Sequence, residues 1–286
     1  MKLQALLNMA VRSLTLPLTE GVILVSYVTG VPKEAVYRGD DREVSAEEEE
    51  LFCDLVKRRV EGVPISYLRK SKEFYGKDFF VDERVLIPRP ETEHVIEHAI
   101  SKVAELNLQS PHIIDIGTGS GIIALTLARL VPNARVSAVD ISKEALEVAR
   151  KNAADHGLSD KVTFFEGDLI EPFLSDIEFA PDLIVTNLPY IAQNDVEHVE
   201  AEVHAYEPHV ALYSGEKGIE HYERLFEQIE KLPQPPHSVI GEFGFNQAPL
   251  IENLLKRYTI HDSRYTVFPD LAGIPRVFLI SFARHA

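Results

Sequence analysis

The chain has 286 residues, 45% of them hydrophobic and 26% charged, which is ordinary for a globular protein with a substantial core. Its formal net charge of −16 at pH 7 argues against broad binding to a nucleic-acid backbone as its main role. A single cysteine excludes an internal disulfide, and no apolar run approaches the ~20 residues that span a bilayer, so the sequence predicts a cytoplasmic protein.

Residues 1–72 have the pattern of a small helical domain. Apolar residues recur at helical spacing and predict one buried face on the first helix: Leu3, Leu6, Leu7, Ala10, Val11 and Leu14. A later helix is predicted to begin at Ser45, where Glu48 completes a capping box, and Cys53 is predicted to lie on its apolar side. The buried stripe of that helix is predicted to be Leu51, Phe52, Leu55, Val56 and Val60.

Residues 73–90 are predicted to link this helical domain to the rest of the chain. The run F-Y-G-K-D-F-F-V at 74–81 predicts a small hairpin, and Pro88, Arg89 and Pro90 predict a rigid turn. Residues 91–286 are predicted to form a second and larger domain.

In this larger domain the pattern alternates between helix and strand. Helices are predicted at residues 91–106, 122–130 and 143–156. Strands are predicted at residues 112–116, 135–139, 162–165, 183–186, 238–243, 266–268 and 276–282. Such alternation predicts an α/β fold with a doubly wound, mostly parallel, Rossmann-like sheet of seven strands. The last two strands lack a convincing helix between them, which predicts an antiparallel edge.

A glycine-rich loop, D-I-G-T-G-S-G at 115–121, lies between a predicted strand and a predicted helix. Its G-x-G-x-G spacing is tighter than the G-x-G-x-x-G of dinucleotide-binding loops. Asp140 ends the next strand, where it can accept from both hydroxyls of a ribose, and Asp168 follows the strand after that, placed to receive an adenine amino group. The sequence therefore predicts a nucleoside-binding site.

The acidic residues around this site suit a cationic cofactor better than a pyrophosphate. S-adenosyl-L-methionine combines an adenosine with a sulfonium and an ammonium, and its carboxylate can lie at the amino terminus of a helix. The sequence thus predicts an S-adenosylmethionine-dependent methyltransferase. A dehydrogenase and a non-catalytic S-adenosylmethionine-binding module are the alternatives.

Four residues, N-L-P-Y at 187–190, come directly after the predicted strand 183–186. Asn187 offers a side-chain carbonyl, the backbone carbonyl of Leu188 can aim at the same point, Pro189 stiffens the turn and Tyr190 adds a flat wall. Two acceptors and an aromatic face suit a planar group that bears an NH2, either an amide or an exocyclic amine. The simpler interpretation is a structural Asn-Pro turn.

One further motif points to a metal. The run H-V-I-E-H at 94–98 matches the inverted zinc-protease motif, with two histidines at i and i+4. A third protein ligand is not evident in the sequence, so a solvated helix face is the preferred interpretation and no metal is predicted.

Several segments together resemble the release-factor glutamine methyltransferases, the PrmC/HemK family. They are P-I-S-Y-L at 64–68, V-L-I-P-R-P-E-T-E at 85–93, the glycine loop at 115–121 and N-L-P-Y at 187–190. The nine-residue stretch is specific to that family, whereas many methyltransferases share the glycine loop. The resemblance runs along essentially the whole chain.

The resemblance implies a helical amino-terminal domain that grips the substrate protein, joined by a hairpin to the catalytic domain. It implies methylation of N5 of the glutamine in the Gly-Gly-Gln motif of peptide-chain release factors, with S-adenosyl-L-methionine as donor. The partner is then a protein, and neither direct nucleic-acid binding nor a membrane is expected. The oligomeric state stays open, with a monomer expected.

The resemblance also assigns residues. Those expected to contact the cofactor are Gly117, Thr118, Gly119, Ser120, Gly121, Asp140 and Asn187, with Asp168 and Leu169 in the adenine-contacting region. Those expected to carry catalysis and to bind the substrate are Asn187, Leu188, Pro189 and Tyr190, and Arg89 is expected to bind the substrate as well.

Leu188 departs from the family pattern, which has a proline at this position. N-L-P-Y is similar instead to the ribosomal-RNA adenine dimethyltransferases, so rRNA adenine N6-methylation is the rival hypothesis. Leucine keeps the backbone carbonyl but does not fix φ as proline does. The helical front domain, the I-P-R-P-E-T-E run and the acidity of the chain favour a protein substrate.

Overall fold

A computed structural model of the chain describes residues 1–13, 16–40, 42–176, 178–258 and 263–282. The chain divides into two units, Met1–Lys72 and Glu73–Ala286, and each has hydrophobic clusters of its own. Within the described ranges, no helix is both long enough and apolar enough to cross a membrane.

The first unit is helical, as predicted. Its helices are α1 (Leu3–Asn8), continued by a π-helical segment (Met9–Ser13), α2 (Leu18–Thr29), α3 (Lys33–Tyr37), α4 (Ala46–Val60) and α5 (Ile65–Arg69). The predicted apolar face is buried at Leu3, Leu6, Leu7 and Ala10, and Val11 is half-buried. Leu14 lies outside the described residues.

Helix α4 begins with the predicted capping box. The Ser45 hydroxyl accepts from the Glu48 backbone N–H at 3.1 Å, and the Glu48 carboxylate accepts from the Ser45 backbone N–H at 2.9 Å. Phe52, Leu55 and Val56 are buried, but the predictions for three other residues were wrong: Leu51, Cys53 and Val60 are exposed.

These three residues are exposed because they do not lie on the buried face of the helix. Each residue turns the helix by about 100°, so Leu51 and Cys53 lie on either side of Phe52, away from its buried face. Seven positions after Phe52 the stripe continues with Arg59, whose guanidinium pairs with Glu20 at 2.8 Å. The last position of the stripe is therefore half-buried and filled by an ion pair, and Val60 is left 55% exposed.

The predicted hairpin lies at the start of the second unit. Strand β1 (Lys72–Phe74) and strand β2 (Lys77–Phe79) are joined by Tyr75 and Gly76. Both of these residues have positive φ, 50° and 70°, as a two-residue type I′ turn requires. A 3-10 turn, Pro90–Thr92, later leads into helix α6 (Glu93–Glu105).

The second unit contains the predicted sheet. Its strands are β3 (His112–Ile116), β4 (Arg135–Asp140), β5 (Val162–Glu166), β6 (Leu183–Thr186), β7 (Ser238–Glu242), β8 (Arg264–Pro269) and β9 (Pro275–Ser281). In the described part of the chain they form one seven-stranded sheet in the order β5-β4-β3-β6-β7-β9-β8. The first five in this order are parallel, and β9 runs antiparallel to both β7 and β8. The α/β fold and its antiparallel edge are thus confirmed.

Helices cover both faces of this sheet. They are α6 (Glu93–Glu105), α7 (Ile122–Leu130), α8 (Lys143–Asp155), α10 (Glu220–Ile229) and α11 (Ala248–Tyr258), and a short helix without buried residues, α9 (Ala201–Tyr206), precedes α10. Helices α6 and α7 share one hydrophobic cluster, whereas α10 and α11 belong to the other. Because the five parallel strands run in the same direction, their carboxyl ends lie at one common edge, where open α/β sheets place their ligands.

Candidate functional site

A cleft, called here the main cleft, lies at the carboxyl edge of the sheet. It contains about 830 Å³ of empty space, open solvent at its mouth included. The predicted site residues that line it are Gly117, Gly119, Asp140, Asp168, Leu169, Asn187, Leu188 and Pro189. They come from four separate stretches of the chain, which the parallel sheet brings together.

The other residues of the glycine loop pack against the fold and do not line the main cleft. Thr118 and Ser120 are buried, and the Thr118 hydroxyl donates to the Asp115 carboxylate at 2.6 Å. Gly121 has a φ of +83°, and a Cβ there would lie 3.2 Å from the Cβ of Ala149 on α8. The structure thus brings Gly117 and Gly119 to the main cleft, while Thr118, Ser120 and Gly121 shape the loop behind it.

Close packing explains the glycine at 117. Its φ of +68° is in the left-handed region, and a Cβ there would lie 3.3 Å from the Leu188 side chain. The glycine loop and the N-L-P-Y turn therefore approach each other across the floor of the main cleft. Leu188 itself is only 4% exposed.

Asp140 holds the loops around the main cleft. Its carboxylate accepts from the backbone N–H of Gly119 at 2.8 Å and from that of Ser142 at 2.9 Å. Burial raises the pKa of Asp140, while these backbone hydrogen bonds oppose the increase. A carboxylate has about four lone-pair positions, so these backbone bonds leave capacity to accept from a ligand's hydroxyl group.

Asp168 and Leu169 also line the main cleft. The Asp168 carboxylate pairs with Arg224 of α10, which also lines this cleft. Leu169 has a φ of +57°, which is uncommon for a residue with a side chain, and its side chain is buried. Such local strain is found preferentially at ligand sites, where the surrounding packing holds it.

Sequence reasoning missed several residues of the main cleft. They are chiefly Arg84, Val85, Leu86, Ile141, His221 and Arg224. Ile141 directly follows Asp140 and is 59% exposed, an unusual position for an isoleucine and a suitable face for a flat base. Burial lowers the pKa of His221 on α10, which favours its neutral form. In the sequence, the isoleucine that directly follows the strand-ending Asp140 was the signal that could have identified this residue.

A second space, called here the side cavity, adjoins the main cleft. It is lined by Leu86, Arg89, Asn187, Leu188, Tyr190, Ile191, Val203, Ala211 and Leu212. Asn187 and Leu188 line both spaces, whereas Tyr190 and Arg89 line only the side cavity. The N-L-P-Y turn thus stands at the junction of the two.

The two acceptors expected in that turn are open. The Asn187 side chain donates from Nδ2 to the Thr92 hydroxyl at 3.0 Å, but its Oδ1 accepts no hydrogen bond from the described residues. The Leu188 carbonyl likewise accepts none within the described ranges. Two adjacent carbonyl oxygens are consequently available at the junction of the main cleft and the side cavity.

Arg89 is held at the edge of the side cavity by Glu207. Its guanidinium lies 2.6 Å from the Glu207 carboxylate, which also accepts from the backbone N–H of Ile87 at 2.9 Å. The Glu207 side chain is 1% exposed. A buried charge with two good partners fixes the proline-rich turn against the segment that comes after α9.

The two histidines of the motif at 94–98 contact different residues. His94 pairs with Glu97 at 3.1 Å, and His98 stacks on Phe268 with ring centroids 3.9 Å apart. Across the described ranges, no group of three or more His, Cys, Asp or Glu side chains is arranged to hold a metal ion.

Family models match both units of the chain. A model described as the PrmC N-terminal domain matches residues 10–69, and one described as a methyltransferase domain matches residues 113–206. These matches fall on the helical unit and on the first half of the sheet.

Curated relatives match most of the chain. The release factor glutamine methyltransferase of Chlorobaculum tepidum is 40% identical over 243 residues, 84% of this chain and 82% of the relative. That of Koribacter versatilis is 36% identical over 261 residues, 91% of this chain and 90% of the relative. That of Bacillus subtilis is 36% identical over 256 residues, with 89% and 88% covered.

Solved structures show the same fold at low identity. The catalytic domain of hMettl16 in complex with the MAT2A 3′UTR hairpin 6 aligns with a TM-score of 0.59 at 15% identity, over 90% of this chain and 92% of that one. The amino-terminal domain of human METTL16 in complex with SAH aligns with a TM-score of 0.54 at 17% identity, over 90% and 94%. Similarity at this level shows the methyltransferase fold alone.

Proposed function

We propose a function from the premise that this chain belongs to the release factor glutamine methyltransferase family, as relatives at 40% and 36% identity over most of both chains show. The chain transfers a methyl group from S-adenosylmethionine to N5 of the glutamine in the Gly-Gly-Gln motif of peptide-chain release factors. The observation that supports this most directly is the pair of open carbonyl oxygens, Asn187 Oδ1 and Leu188 O, where the two cavities meet.

The main cleft has the chemistry that S-adenosylmethionine needs. Asp140 can accept from ribose hydroxyls, Ile141 offers an apolar face to the base, and Gly117 leaves the backbone accessible where a Cβ would approach Leu188. The Oδ1 atom of the fully buried Asp115, directly behind the glycine loop, has no hydrogen-bond partner among the described residues. When bound, this cofactor supplies a methyl group on a positively charged sulfur. We assign Gly117, Gly119, Asp140, Asp168, Leu169 and Asn187 to its binding.

The side cavity then receives the glutamine side chain. An amide nitrogen is a poor nucleophile because its lone pair is shared with the carbonyl group. Hydrogen bonds from the substrate NH2 to Asn187 Oδ1 and to the Leu188 carbonyl hold this nitrogen so that its lone pair is directed towards the methyl donor. As the nitrogen–methyl bond forms, the methyl–sulfur bond breaks and the sulfur becomes a neutral thioether. The excess proton then leaves the nitrogen for solvent as the product is released.

Pro189, Tyr190 and Arg89 complete the acceptor site in this proposal. Pro189 stiffens the turn, and Tyr190 forms a wall of the side cavity that excludes water. Burial, followed by the nearby Glu242, raises the pKa of Tyr190, so its hydroxyl stays protonated and donates to Glu242. Arg89, which pairs with Glu207 and lines the side cavity, contacts the substrate in this proposal.

The remaining predictions about the whole protein stay part of this proposal. Residues 1–72 form the domain that grips the release factor, residues 73–90 act as the linker and residues 91–286 carry the reaction. The match of residues 10–69 to the PrmC N-terminal domain supports the first of these roles. The protein acts as a monomer in the cytoplasm, without binding nucleic acid directly.

One labelling experiment separates the three functional hypotheses. The protein is incubated with methyl-labelled S-adenosylmethionine, a purified release factor and ribosomal RNA, and the label is then located. The proposal expects label on the release factor and none when the glutamine of its Gly-Gly-Gln motif is replaced by alanine. Label on RNA alone would support the adenine methyltransferase, and label on neither would support a binding module.

A further inference from the structure

We propose that Thr92 and Glu242 are positioning residues that determine which end of the Asn187 amide faces the acceptor. This inference rests on the proposed function, because it concerns the orientation of the group that binds the substrate NH2. Neither residue lines the main cleft or the side cavity. Both act through Asn187.

A chain of hydrogen bonds connects the three residues. Asn187 Nδ2 donates to Thr92 Oγ1 at 3.0 Å, and Thr92 Oγ1 donates to Glu242 Oε2 at 2.6 Å. The other oxygen of Glu242, Oε1, accepts from the Tyr190 hydroxyl at 3.1 Å. Thr92 and Glu242 are each 1% exposed, so water does not compete for these bonds.

The direction of this chain of bonds is set by the number of protons available. A carboxylate can only accept, and a threonine hydroxyl has one proton. Once the Thr92 proton is committed to Glu242, the Thr92 oxygen can only accept from Asn187, which must turn its NH2 towards Thr92. The Asn187 carbonyl oxygen is then left for the substrate, as the proposed chemistry requires.

The surroundings of Glu242 bear on its charge. Burial and, more weakly, Glu91 raise the pKa of Glu242 above its usual range, although the hydroxyl groups of Thr92 and Tyr190 and the charge of Arg276 oppose the increase. With both oxygens accepting from neutral hydroxyl groups, Glu242 serves as the fixed acceptor at the end of the chain of bonds. A glutamine at this position could donate to Thr92 from its NH2 while its oxygen still accepts from Tyr190, which would reverse the bonds from Thr92 to residue 242 and from Asn187 to Thr92.

This arrangement explains a residue of the V-L-I-P-R-P-E-T-E run that the proposed function does not use. Ile87 and Arg89 are bound to Glu207, and the Glu93 carboxylate accepts from the backbone N–H of Tyr75 at 2.9 Å. Those contacts hold the fold of the turn. Thr92 contacts the Asn187 side chain itself, which gives it a role in the reaction.

The test compares Thr92→Val, Thr92→Ser and Glu242→Gln with the wild type in methylation of a release factor. Thr92→Val keeps the shape but removes the hydroxyl, so we expect kcat to fall ~10- to 100-fold while the Kd for S-adenosylmethionine changes less than ~3-fold. Thr92→Ser restores kcat to within ~3-fold of the wild type, because it restores the hydroxyl. Glu242→Gln lowers kcat as Thr92→Val does, by reversing the chain of bonds.

Thr126→Val is the matched control. Thr126 is also 1% exposed, but its hydroxyl has no hydrogen-bond partner in the described part of the chain, so kcat should be unchanged. A kcat of Thr92→Val or Glu242→Gln equal to that of the wild type overturns the inference, and so does an equal loss in Thr92→Ser and Thr92→Val. A wild type that does not methylate the release factor refutes the proposed function instead.

Discussion

Asn187 is the residue on which the proposed methyl transfer depends most directly. For Asn187→Ala we expect kcat to fall by ~10² or more, because one of the two acceptors for the substrate NH2 is lost. The Kd for S-adenosylmethionine should rise much less, since Gly117, Asp140 and Leu169 also line the main cleft. Turnover with labelled cofactor and calorimetric titration measure the two quantities.

Asn194→Ala is the control for this substitution, because Asn194 is exposed on a 3-10 turn shortly after the same strand. Its kcat should match that of the wild type. Equal losses of turnover and of cofactor binding in Asn187→Ala would contradict the proposed role and show that Asn187 mainly holds the cofactor.

Leu188 is the residue at which the chain departs from the family pattern. We expect Leu188→Pro to keep or raise kcat, because proline retains the backbone carbonyl that the substrate needs and fixes φ in the turn. Stability should fall by about 2 kcal/mol, since the leucine side chain is buried and the smaller ring fills less space. Kinetics and urea unfolding test both expectations. A collapse of kcat in a variant that is still folded under the assay conditions would show that this turn differs from the family's.

Local sequence predicted part of the site and could not predict the rest. Asp140, Asp168 and Asn187 each lie at or after the end of a predicted strand, and parallel strands must end at one edge, so their meeting was predictable. The contact between Thr92 and Glu242 joins residues 150 positions apart, and no local pattern specifies it. Thr118 and Ser120 are buried and do not line the main cleft. Their burial depends on the backbone dihedrals of the loop, which the spacing of the glycines does not reveal.

At the scale of elements, the turn around Arg89 depends on one carboxylate. Glu207→Ala should destabilise the protein by about 3 kcal/mol, because the backbone N–H of Ile87 and the Arg89 guanidinium both lose a buried partner. The KM for the release factor should rise as well, since Arg89 lines the side cavity. Urea unfolding and steady-state kinetics measure these effects.

Glu197→Ala provides the comparison for Glu207→Ala. Glu197 is exposed on a 3-10 turn, so its replacement should change stability by less than ~0.5 kcal/mol. If Glu207→Ala were no more destabilising than this control, the proline-rich turn would be held by other contacts.

The helices and strands were predictable to different degrees. Strands β3 and β6 and helix α7 begin and end where their apolar runs and flanking loops indicate, because each is buried. Helix α10 was not predicted, although Tyr222, Leu225, Phe226 and Ile229 have helical spacing and are buried. At Val60 the prediction failed in the other direction, because an apolar residue predicted to be buried is exposed. The stripe on α4 ends in an ion pair, and composition alone does not show whether an apolar residue or an ion pair fills that position.

At the scale of the whole molecule, Asp115 makes stability depend on pH. Burial raises its pKa to about 7, despite hydrogen bonds from Thr118 and from the backbone N–H of Ala124. The unfolded chain loses this proton near pH 4, whereas the folded chain keeps it to about pH 7. The folded state therefore binds more protons across this interval, and the contribution of Asp115 to stability falls as the pH rises through it.

Asp115→Asn removes this titration, because an amide can still accept both hydrogen bonds through its oxygen. We expect the variant to gain stability relative to the wild type as the pH rises from about 4 to about 7, by up to about 4 kcal/mol in total. Urea unfolding of both proteins across this interval measures the difference. A difference that does not change with pH would show that Asp115 has the same pKa in the folded and unfolded chains.

The proposed reaction requires that this fold place a protein glutamine, rather than a base, against the open oxygens of Asn187 and Leu188. The most direct measurement is fragment mass spectrometry of a release factor after incubation with the protein and S-adenosylmethionine. We expect one added methyl group, on the side-chain amide of the glutamine in the Gly-Gly-Gln motif, and its loss with Asn187→Ala. An unmodified motif under conditions in which the protein binds the cofactor, or a methyl group on another residue, would contradict the proposed function.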